Sequence, residues 1–466
     1  MRPLRRTLLC TGIVIVAAAW AAGSAAAHAK LVGSAPAPGA SGVQRDAAAV
    51  VLRFSEQVAV LDGSEVTVVD GRGRRVDAGT ATTSSGDARR VIVPLRGPLS
   101  DDSFTVRFRV VSDDSHLEEG AFAFAVGRAR LRDPLPADAV GLSDTGAVAV
   151  AVRWAELIAF GLLLGLIVFR ALVWDAVASA AYRSNADERD RALRDGRRSF
   201  WRAFWGLAAL AGVAEAAVLL EKSAVAFHTG IIGAMGRPDI LTRVVSESRF
   251  GGLLGWRDLA LLALVGVGFV TWSAEDGRAP SPGRPGPALL MALPAVTALT
   301  LLASQGHASQ APLAPLSIAA DAAHLTAAAI WIGGLPCLAV IALRAPRALP
   351  DTGRAVAAAA LARFSRVAVW SVAVLILTGV GRLAGELSSP AELWSTAYGR
   401  CIVAKSALLL PLLLLGDRNR RAIGALARRA PDQRRLKTIA RRVQVELAIA
   451  LAIIAVAALL VAEVPG

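Results

Sequence analysis

The chain has 466 residues, of which 55% are hydrophobic, and its formal net charge is +14. A mean hydropathy of +0.51 over this length excludes a single soluble domain. The basic residues cluster in short segments between apolar runs, which is typical of membrane topology, so the charge does not indicate a nucleic acid partner. Three cysteines and three methionines are too few for a disulfide framework or a methionine-rich relay for soft metal ions.

Residues 1–27 have the pattern of a secretory signal peptide. Three arginines precede the apolar run Leu8–Ala22, and an A-x-A cleavage motif ends at Ala27. Cleavage there makes His28 the first residue of the exported chain. An uncleaved anchor is the alternative, but the apolar run is shorter than the roughly 20 residues that a spanning helix needs.

Residues 28–130 change to short β-patterned runs separated by turn residues. The runs are Val50–Phe54, Val66–Val69, Val91–Val93, Phe104–Val110 and Ala121–Val126. Their spacing predicts a small all-β antiparallel sandwich, and because this stretch has no cysteine we expect its core to be hydrophobic. Residues 131–145 follow as a linker that contains proline and aspartate.

Residues 146–466 predict an all-α polytopic membrane bundle of about eight helices. The spans lie near 146–173, 203–222, 253–273, 286–304, 315–343, 367–384, 400–416 and 443–462. The loops 174–202 and 417–442 are rich in arginine, which places them in the cytoplasm. We therefore expect a multi-pass protein of the plasma membrane, embedded in the lipid bilayer, with the sandwich and both termini outside.

The segment Gly306–Leu335 carries His307, Asp321 and His324 among apolar residues. Asp321 and His324 are three positions apart and share one helix face. Ionisable groups at membrane depth are costly, so the pair either lines a cation path or bonds between helices. Glu156, Glu215 and Glu221, in or near the first two spans, are candidates to extend such a path.

The five histidines all lie outside or in the outer half of the membrane in this topology, which indicates a metal handled from outside. An N-terminal His28 offers its α-amine and imidazole together as a chelate. Asp114 and His116 precede the last predicted strand. Nitrogen and oxygen donors of this kind favour Cu(II), whereas the alternative is an ordinary loop histidine. His228 has no nearby candidate ligand and stays unassigned.

Residues 28–127 resemble the CopC family of periplasmic copper-binding proteins, which have a sandwich of the cupredoxin or immunoglobulin type. The matching features are His28-Ala29, Ser34-Ala35-Pro36-Ala37, Phe54-Ser55-Glu56 and the run VVSDDSHLEEGAFAFAV. In the last motif Ser115 stands where the family usually has glycine, which leaves both ligand types in place. The resemblance implies copper binding by His28, Asp114 and His116.

Residues 146–463 resemble the CopD family of copper membrane proteins. The matching features are Gly306-His307-Ala308, Asp321-Ala322-Ala323-His324-Leu325, Trp331-Ile332-Gly333-Gly334-Leu335, Arg363-Phe364-Ser365, Thr378-Gly379, Tyr398-Gly399-Arg400, Lys405 and Asn419-Arg420. The two resemblances together imply a CopC–CopD fusion that acts in copper uptake or tolerance, not an enzyme.

Three functions remain open from the sequence. In the first, the sandwich captures Cu(II) and passes it to a second site at His307, Asp321 and His324 for import. In the second, the chain is a copper buffer, or a chaperone that delivers copper to a cuproenzyme at the outer face. In the third, an oxidative enzyme uses a copper brace, but Asp114 as a fourth ligand closes the position that oxygen needs.

Overall fold

The computed structural model describes most of the chain. The described residues are 30–60, 66–112, 117–135, 146–181, 186–227, 229–275, 286–305, 314–348, 350–386, 392–395, 397–427 and 433–462.

Two antiparallel sheets make up the N-terminal domain. The strands are β1 (Leu31–Ala35), β2 (Ala49–Phe54), β3 (Val58–Ala59), β4 (Thr67–Val69), β5 (Thr82–Ser84), β6 (Asp87–Pro94), β7 (Ser103–Ser112) and β8 (Leu117–Ala125). One sheet has the order β1-β2-β6-β5, and in the other β7 pairs with β3, β4 and β8. The predicted sandwich is confirmed. The strands β1, β3 and β5, of two to five residues, are too short for a clear alternation and were not predicted.

Phenylalanine side chains fill the space between the two sheets. Phe104 and Phe124 stack with ring centroids 5.5 Å apart, and Phe54 meets Phe108 edge-on at the same distance. All four are buried together with valines from both sheets. Burial of one such side chain contributes about 1.5–3 kcal/mol, so a few of them match what a disulfide typically supplies. The core is therefore hydrophobic, as expected.

Helices make up the described part of the chain from residue 146 onwards. They are α1 (Gly146–Phe169), a π-helical turn (Arg170–Trp174), α2 (Asp175–Ala181), α3 (Ala186–Ala226), α4 (Ile231–Met235), α5 (Pro238–Glu247), α6 (Arg249–Glu275), α7 (Gly286–Ala303), α8 (Ala314–Ala348), α9 (Pro350–Glu386), α10 (Glu392–Ser395), α11 (Ala397–Ala427) and α12 (Gln433–Ala462). A helix covers each of the predicted spans.

Five described helical segments are long and apolar enough to cross a membrane: Ala147–Ala180, Asp190–Ala226, Arg249–Glu275, Pro315–Ile341 and Gly353–Gly381. The fourth predicted span corresponds to a shorter apolar helix, Ala288–Ala303. The last two predicted spans lie within α11 and α12, which extend beyond them into charged segments. The chain is thus a multi-pass membrane protein.

Glycines bring α1 and α8 into backbone contact. A Cβ atom on Gly165 would collide with the backbone of Ala329 and Gly333, and one on Gly333 would collide with the carbonyl oxygen of Gly161. Small residues allow such close approach between membrane helices. Gly333 therefore serves helix packing, which fixes α8 and the face that carries Asp321 against its neighbours.

Candidate functional site

Most of the predicted copper ligands lie outside the described residues. They are His28, Asp114, His116 and His307, and His228 is outside as well. Their coordination remains a prediction. Asp321 and His324 are both described, and both lie in α8.

The described strands that flank the predicted sandwich ligands converge. The Ser55 amide donates to the carbonyl oxygen of Lys30 at 2.9 Å, two positions after His28. Three residues beyond Ser55, Val58 pairs with Ser112 at the end of β7. The three residues from Ser55 to Val58 span at most about 10 Å. The start of β1 and the end of β7 therefore both contact the short connection between β2 and β3.

His324 is anchored to the neighbouring helix. Its Nδ1 lies 2.9 Å from Oγ1 of Thr378 in α9. The Thr378 hydroxyl donates its single proton to the carbonyl oxygen of Val374 at 2.7 Å. With the hydroxyl proton used in this way, the threonine oxygen is an acceptor for an Nδ1–H group of His324, and that tautomer carries its lone pair on Nε2. A neutral imidazole with a fixed Nε2 lone pair is the form that binds metal ions.

Asp321 lies one turn before His324 on the same face of α8 and is 8% exposed. Gly379 faces the histidine ring, because a Cβ atom there would lie 3.8 Å from Cε1 of His324. A side chain at Gly379 would contact the Cε1 edge of the ring, so glycine leaves this edge less crowded. A buried carboxylate and an oriented imidazole are therefore adjacent on one helix face, as the three-residue spacing predicts.

A second buried charge cluster centres on Arg257 of α6. Its Nη2 lies 2.7 Å from Oε2 of Glu215 and 2.5 Å from Oε1 of Glu156. Its Nη1 donates to Oε1 of Gln305 at 2.7 Å. Arg153 completes the cluster with a contact of 2.7 Å to Oε2 of Glu156. These five residues join α1, α3 and α6 to the chain that follows α7.

This cluster changes the interpretation of two glutamates. Glu156 and Glu215 were candidates to extend a cation path, but a guanidinium occupies the space between them. Two carboxylates and two guanidiniums balance in charge, which lowers the large cost of burying them. Both glutamates therefore belong to a buried ion-pair network that joins helices. Arg257 was not predicted from the sequence, although a basic residue inside the apolar run 253–273 indicates a buried charge that needs a partner.

Glu446 of α12 was also overlooked. It is 4% exposed and its Oε1 accepts a hydrogen bond from Nδ2 of Asn419 at 2.6 Å. A lone carboxylate within the predicted span 443–462 was the available signal. Among the described residues no group of three or more His, Cys, Asp or Glu side chains is arranged to hold a metal ion. A site at Asp321 and His324 therefore needs further ligands from elsewhere.

Comparison with family models matches three parts of the chain. A CopC domain matches residues 31–127, the N-terminal domain of copper resistance protein D-like proteins matches 142–313, and copper resistance protein D matches 358–460. Together these matches cover the sandwich and most of the membrane region. All three families are named for copper resistance or for CopC, and none for a catalysed reaction.

Individual relatives agree with these matches. The copper transport protein CutJ of Bacillus subtilis (strain 168) is 26% identical over 438 residues, which are 93% of this chain and 73% of that protein. Copper resistance protein C of Xanthomonas campestris pv. juglandis is 34% identical over 122 residues, which are 25% of this chain and 94% of that protein. The crystal structure of CopC from Methylosinus trichosporium OB3b is similar at 28% identity and a TM-score of 0.20, over 22% of this chain and 100% of that one.

The order of these matches is that of the two structural regions, a sandwich followed by membrane helices. A copper-related membrane function follows from them, and the sandwich is of the kind found outside the cytoplasm. The chain belongs to the copper resistance family of CopC–CopD fusions.

Proposed function

We propose that this chain imports copper across the plasma membrane. The sandwich captures Cu(II) at His28, Asp114 and His116 outside the cytoplasm. Copper then moves to a site in the outer half of the bundle that contains Asp321 and His324. His307, two residues after the described Gln305, is the third ligand proposed for that site.

The arrangement of His324 carries the proposal. Its Nδ1 contact with Thr378 holds the imidazole one helical turn from the buried side chain of Asp321. Imidazole and carboxylate are ligands for copper, and a buried pair of them on a membrane helix favours a cation site. The convergence of Lys30 and Ser112 on one strand connection supports a joint site for the two sandwich segments.

Inward movement is favoured by the architecture. A capture domain outside the membrane is fused to a bundle whose predicted ligands also lie in its outer half. The sequence contains no phosphate-binding G-x-x-x-x-G-K-[ST] motif, so a concentration gradient or trapping of copper inside drives the movement.

Total cell copper tests the proposal. A deletion strain is complemented with the wild-type chain, with His324→Ala, or with Thr297→Val as a control on the exposed side of α7, at matched protein levels. We expect less copper in the deletion strain, restored by wild type and Thr297→Val and not by His324→Ala. More copper in the deletion strain reverses the direction, and unchanged copper with altered tolerance favours a buffer or a delivery protein.

A further inference from the structure

An apolar cavity of about 380 Å³ opens in the bundle between α8, α9, α11 and α12. Its walls include Trp331, Leu335, Phe364 and Val443. Its polar groups lie among Ser365, Asp417, Asn419, Arg420 and Glu446. Asp417 begins the loop 417–442, which is predicted to be cytoplasmic. Ser365 lies between the predicted spans 315–343 and 367–384, in a segment that the same topology also places in the cytoplasm. The cavity therefore lies at the cytoplasmic end of the membrane region.

The helix face that carries the outer site continues into this cavity. Trp331 follows His324 by seven positions, which is two helical turns on the same face and about 10.5 Å along the axis. On α9 the cavity residues Val372 and Val369 lie six and nine positions before Thr378, the partner of His324, which is about 9 and 13.5 Å further inward along the axis. The two helices that hold His324 thus line the cavity further inward.

Glu446 is the buried acidic side chain of this cavity. Its hydrogen-bond partner is the neutral amide of Asn419, and within the described part of the chain no basic side chain forms an ion pair with it. Arg420 also lines the cavity, but its Nη2 lies 3.0 Å from Oδ1 of Asp417. A carboxylate at membrane depth without a paired cation is costly.

Asn419 adds a second oxygen. Because its Nδ2 donates to the Glu446 carboxylate, its Oδ1 must point elsewhere. That atom is buried without a hydrogen-bond partner among the described residues, and Asn419 is 5% exposed. A cation that binds between this acceptor and the unpaired carboxylate of Glu446 would satisfy both groups.

We propose that this cavity is the inner half of the copper route, and that Glu446 and the Asn419 Oδ1 atom form a transit site for a copper cation. The inference rests on the proposed function. Two oxygen donors leave the remaining positions of the ion to water, so binding is weak compared with a nitrogen- or sulfur-rich site. Weak binding suits release to the cytoplasm, because a conducting site must also let its ion leave.

Carbodiimide labelling of the full-length protein in membranes tests the site without measuring transport. Dicyclohexylcarbodiimide modifies carboxyl groups in apolar surroundings, and mass spectrometry locates the product. We expect the reagent to label Glu446. Copper, added as copper sulfate alone or together with ascorbate, should slow this labelling at least threefold, whereas magnesium should not slow it. Glu156, paired with Arg153 and Arg257, is the internal control. If Glu446 is labelled equally with and without copper, or is not labelled at all, the proposal is overturned. Glu446 then binds at most a proton.

Copper entry into proteoliposomes separates this inference from the proposed function. With Glu446→Gln, which keeps the shape and the bond to Asn419, we expect initial copper entry at least tenfold slower than wild type. Glu247→Gln, an exposed glutamate of α5, is the matched control with unchanged entry. If wild type moves copper and Glu446→Gln equals it, the inference fails. If wild type moves no copper while copper still protects Glu446, the transport proposal fails and the binding site stands.

Discussion

Thr378 of α9 holds the imidazole of His324 of α8 at its Nδ1 atom, 2.9 Å from the threonine oxygen. The Thr378 hydroxyl also bonds to the carbonyl oxygen of Val374, an arrangement that favours Nδ1 as the donor to the threonine oxygen. In that tautomer the lone pair resides on Nε2. A second residue that orients a metal-binding imidazole is a recurrent requirement of metal sites.

Removal of the Thr378 hydroxyl should lower the affinity of the His324 site for copper without loss of the fold. Thr378→Val keeps the side-chain shape but leaves Nδ1 of His324 without its acceptor. Loss of such an orienting partner typically lowers metal affinity by about 10–100-fold. We therefore expect a higher copper concentration for half-maximal uptake, measured in cells by elemental analysis.

Thr378→Ser should retain most of the uptake because it keeps the acceptor oxygen. Thr297→Val removes a hydroxyl that bonds only within its own helix, to Leu293, and should leave uptake unchanged. Equal uptake by Thr378→Val and Thr297→Val contradicts the role given to Thr378.

Arg257 should be a major determinant of stability. Arg257→Met leaves Glu156 and Glu215 buried without their shared guanidinium, and removal of one partner from a buried ion pair costs about 3–5 kcal/mol. We expect a loss of this size in the free energy of unfolding of the purified full-length protein, measured by titration with SDS. Glu215→Gln in the same chain should recover part of the loss.

An exposed ion pair provides the comparison for Arg257. Arg237 and Asp239 are in contact at 2.9 Å on the protein surface, where such pairs contribute little. Arg237→Gln should therefore not change the titration measurably. If Arg257→Met and Arg237→Gln lower the free energy of unfolding by similar amounts, the buried cluster does not contribute more to stability than an exposed ion pair.

The contact between α1 and α8 should not tolerate a methyl group. Gly165→Ala forces the new Cβ against the backbone of Gly333, so we expect a lower yield of folded protein and a lower thermal midpoint in detergent. Gly266 in α6 has open space at its Cβ position. Gly266→Ala should be neutral or stabilise the helix by about 0.5–1 kcal/mol. The opposite order of the two variants contradicts the packing described.

Asp70 organises the turn after β4. Its Oδ1 accepts hydrogen bonds from the backbone N–H groups of Arg72 and Arg74, each at 2.9 Å. Burial alone raises the pKa of Asp70, but these two bonds and the Arg74 guanidinium outweigh it, so the pKa lies below the ordinary value. The stabilisation is therefore present above the unfolded pKa of about 3.9 and is lost as the pH falls through the lower folded pKa.

Asp70→Asn should lower the stability of the sandwich by about 1–3 kcal/mol at pH 7, because the charge of the acceptor is lost. The difference from wild type should shrink as the pH falls below about 4. Circular dichroism of residues 28–130 during urea unfolding measures both. Asp46→Asn, an exposed aspartate, is the control, and a difference that grows in acid contradicts the assignment.

Local patterns in the sequence were sufficient for several features. Alternation along Val50–Phe54 and Phe104–Val110 predicted strands whose side chains do fill the sandwich core. The three-residue spacing of Asp321 and His324 predicted their shared face. Both rest on backbone periodicity, which needs no knowledge of distant residues.

Partners across the bundle were not predictable in this way. Asn419 meets Glu446 from 27 residues away, and Arg257 meets Glu215 from 42 residues away. The sequence marks each of these as an ionisable or polar residue in an apolar run, without indicating which helix will lie beside it.

The sequence by itself determined the order of the two regions. It also predicted the export and orientation of the chain and the chemical class of the ligands, because hydropathy, charge bias and residue type are properties of short segments. Only the tertiary structure decided that Arg257 neutralises Glu156 and Glu215, that Glu446 faces a cavity with a neutral partner, and that Thr378 orients His324. These outcomes depend on which helices are neighbours, and close packing at positions such as Gly165 and Gly333 sets that arrangement.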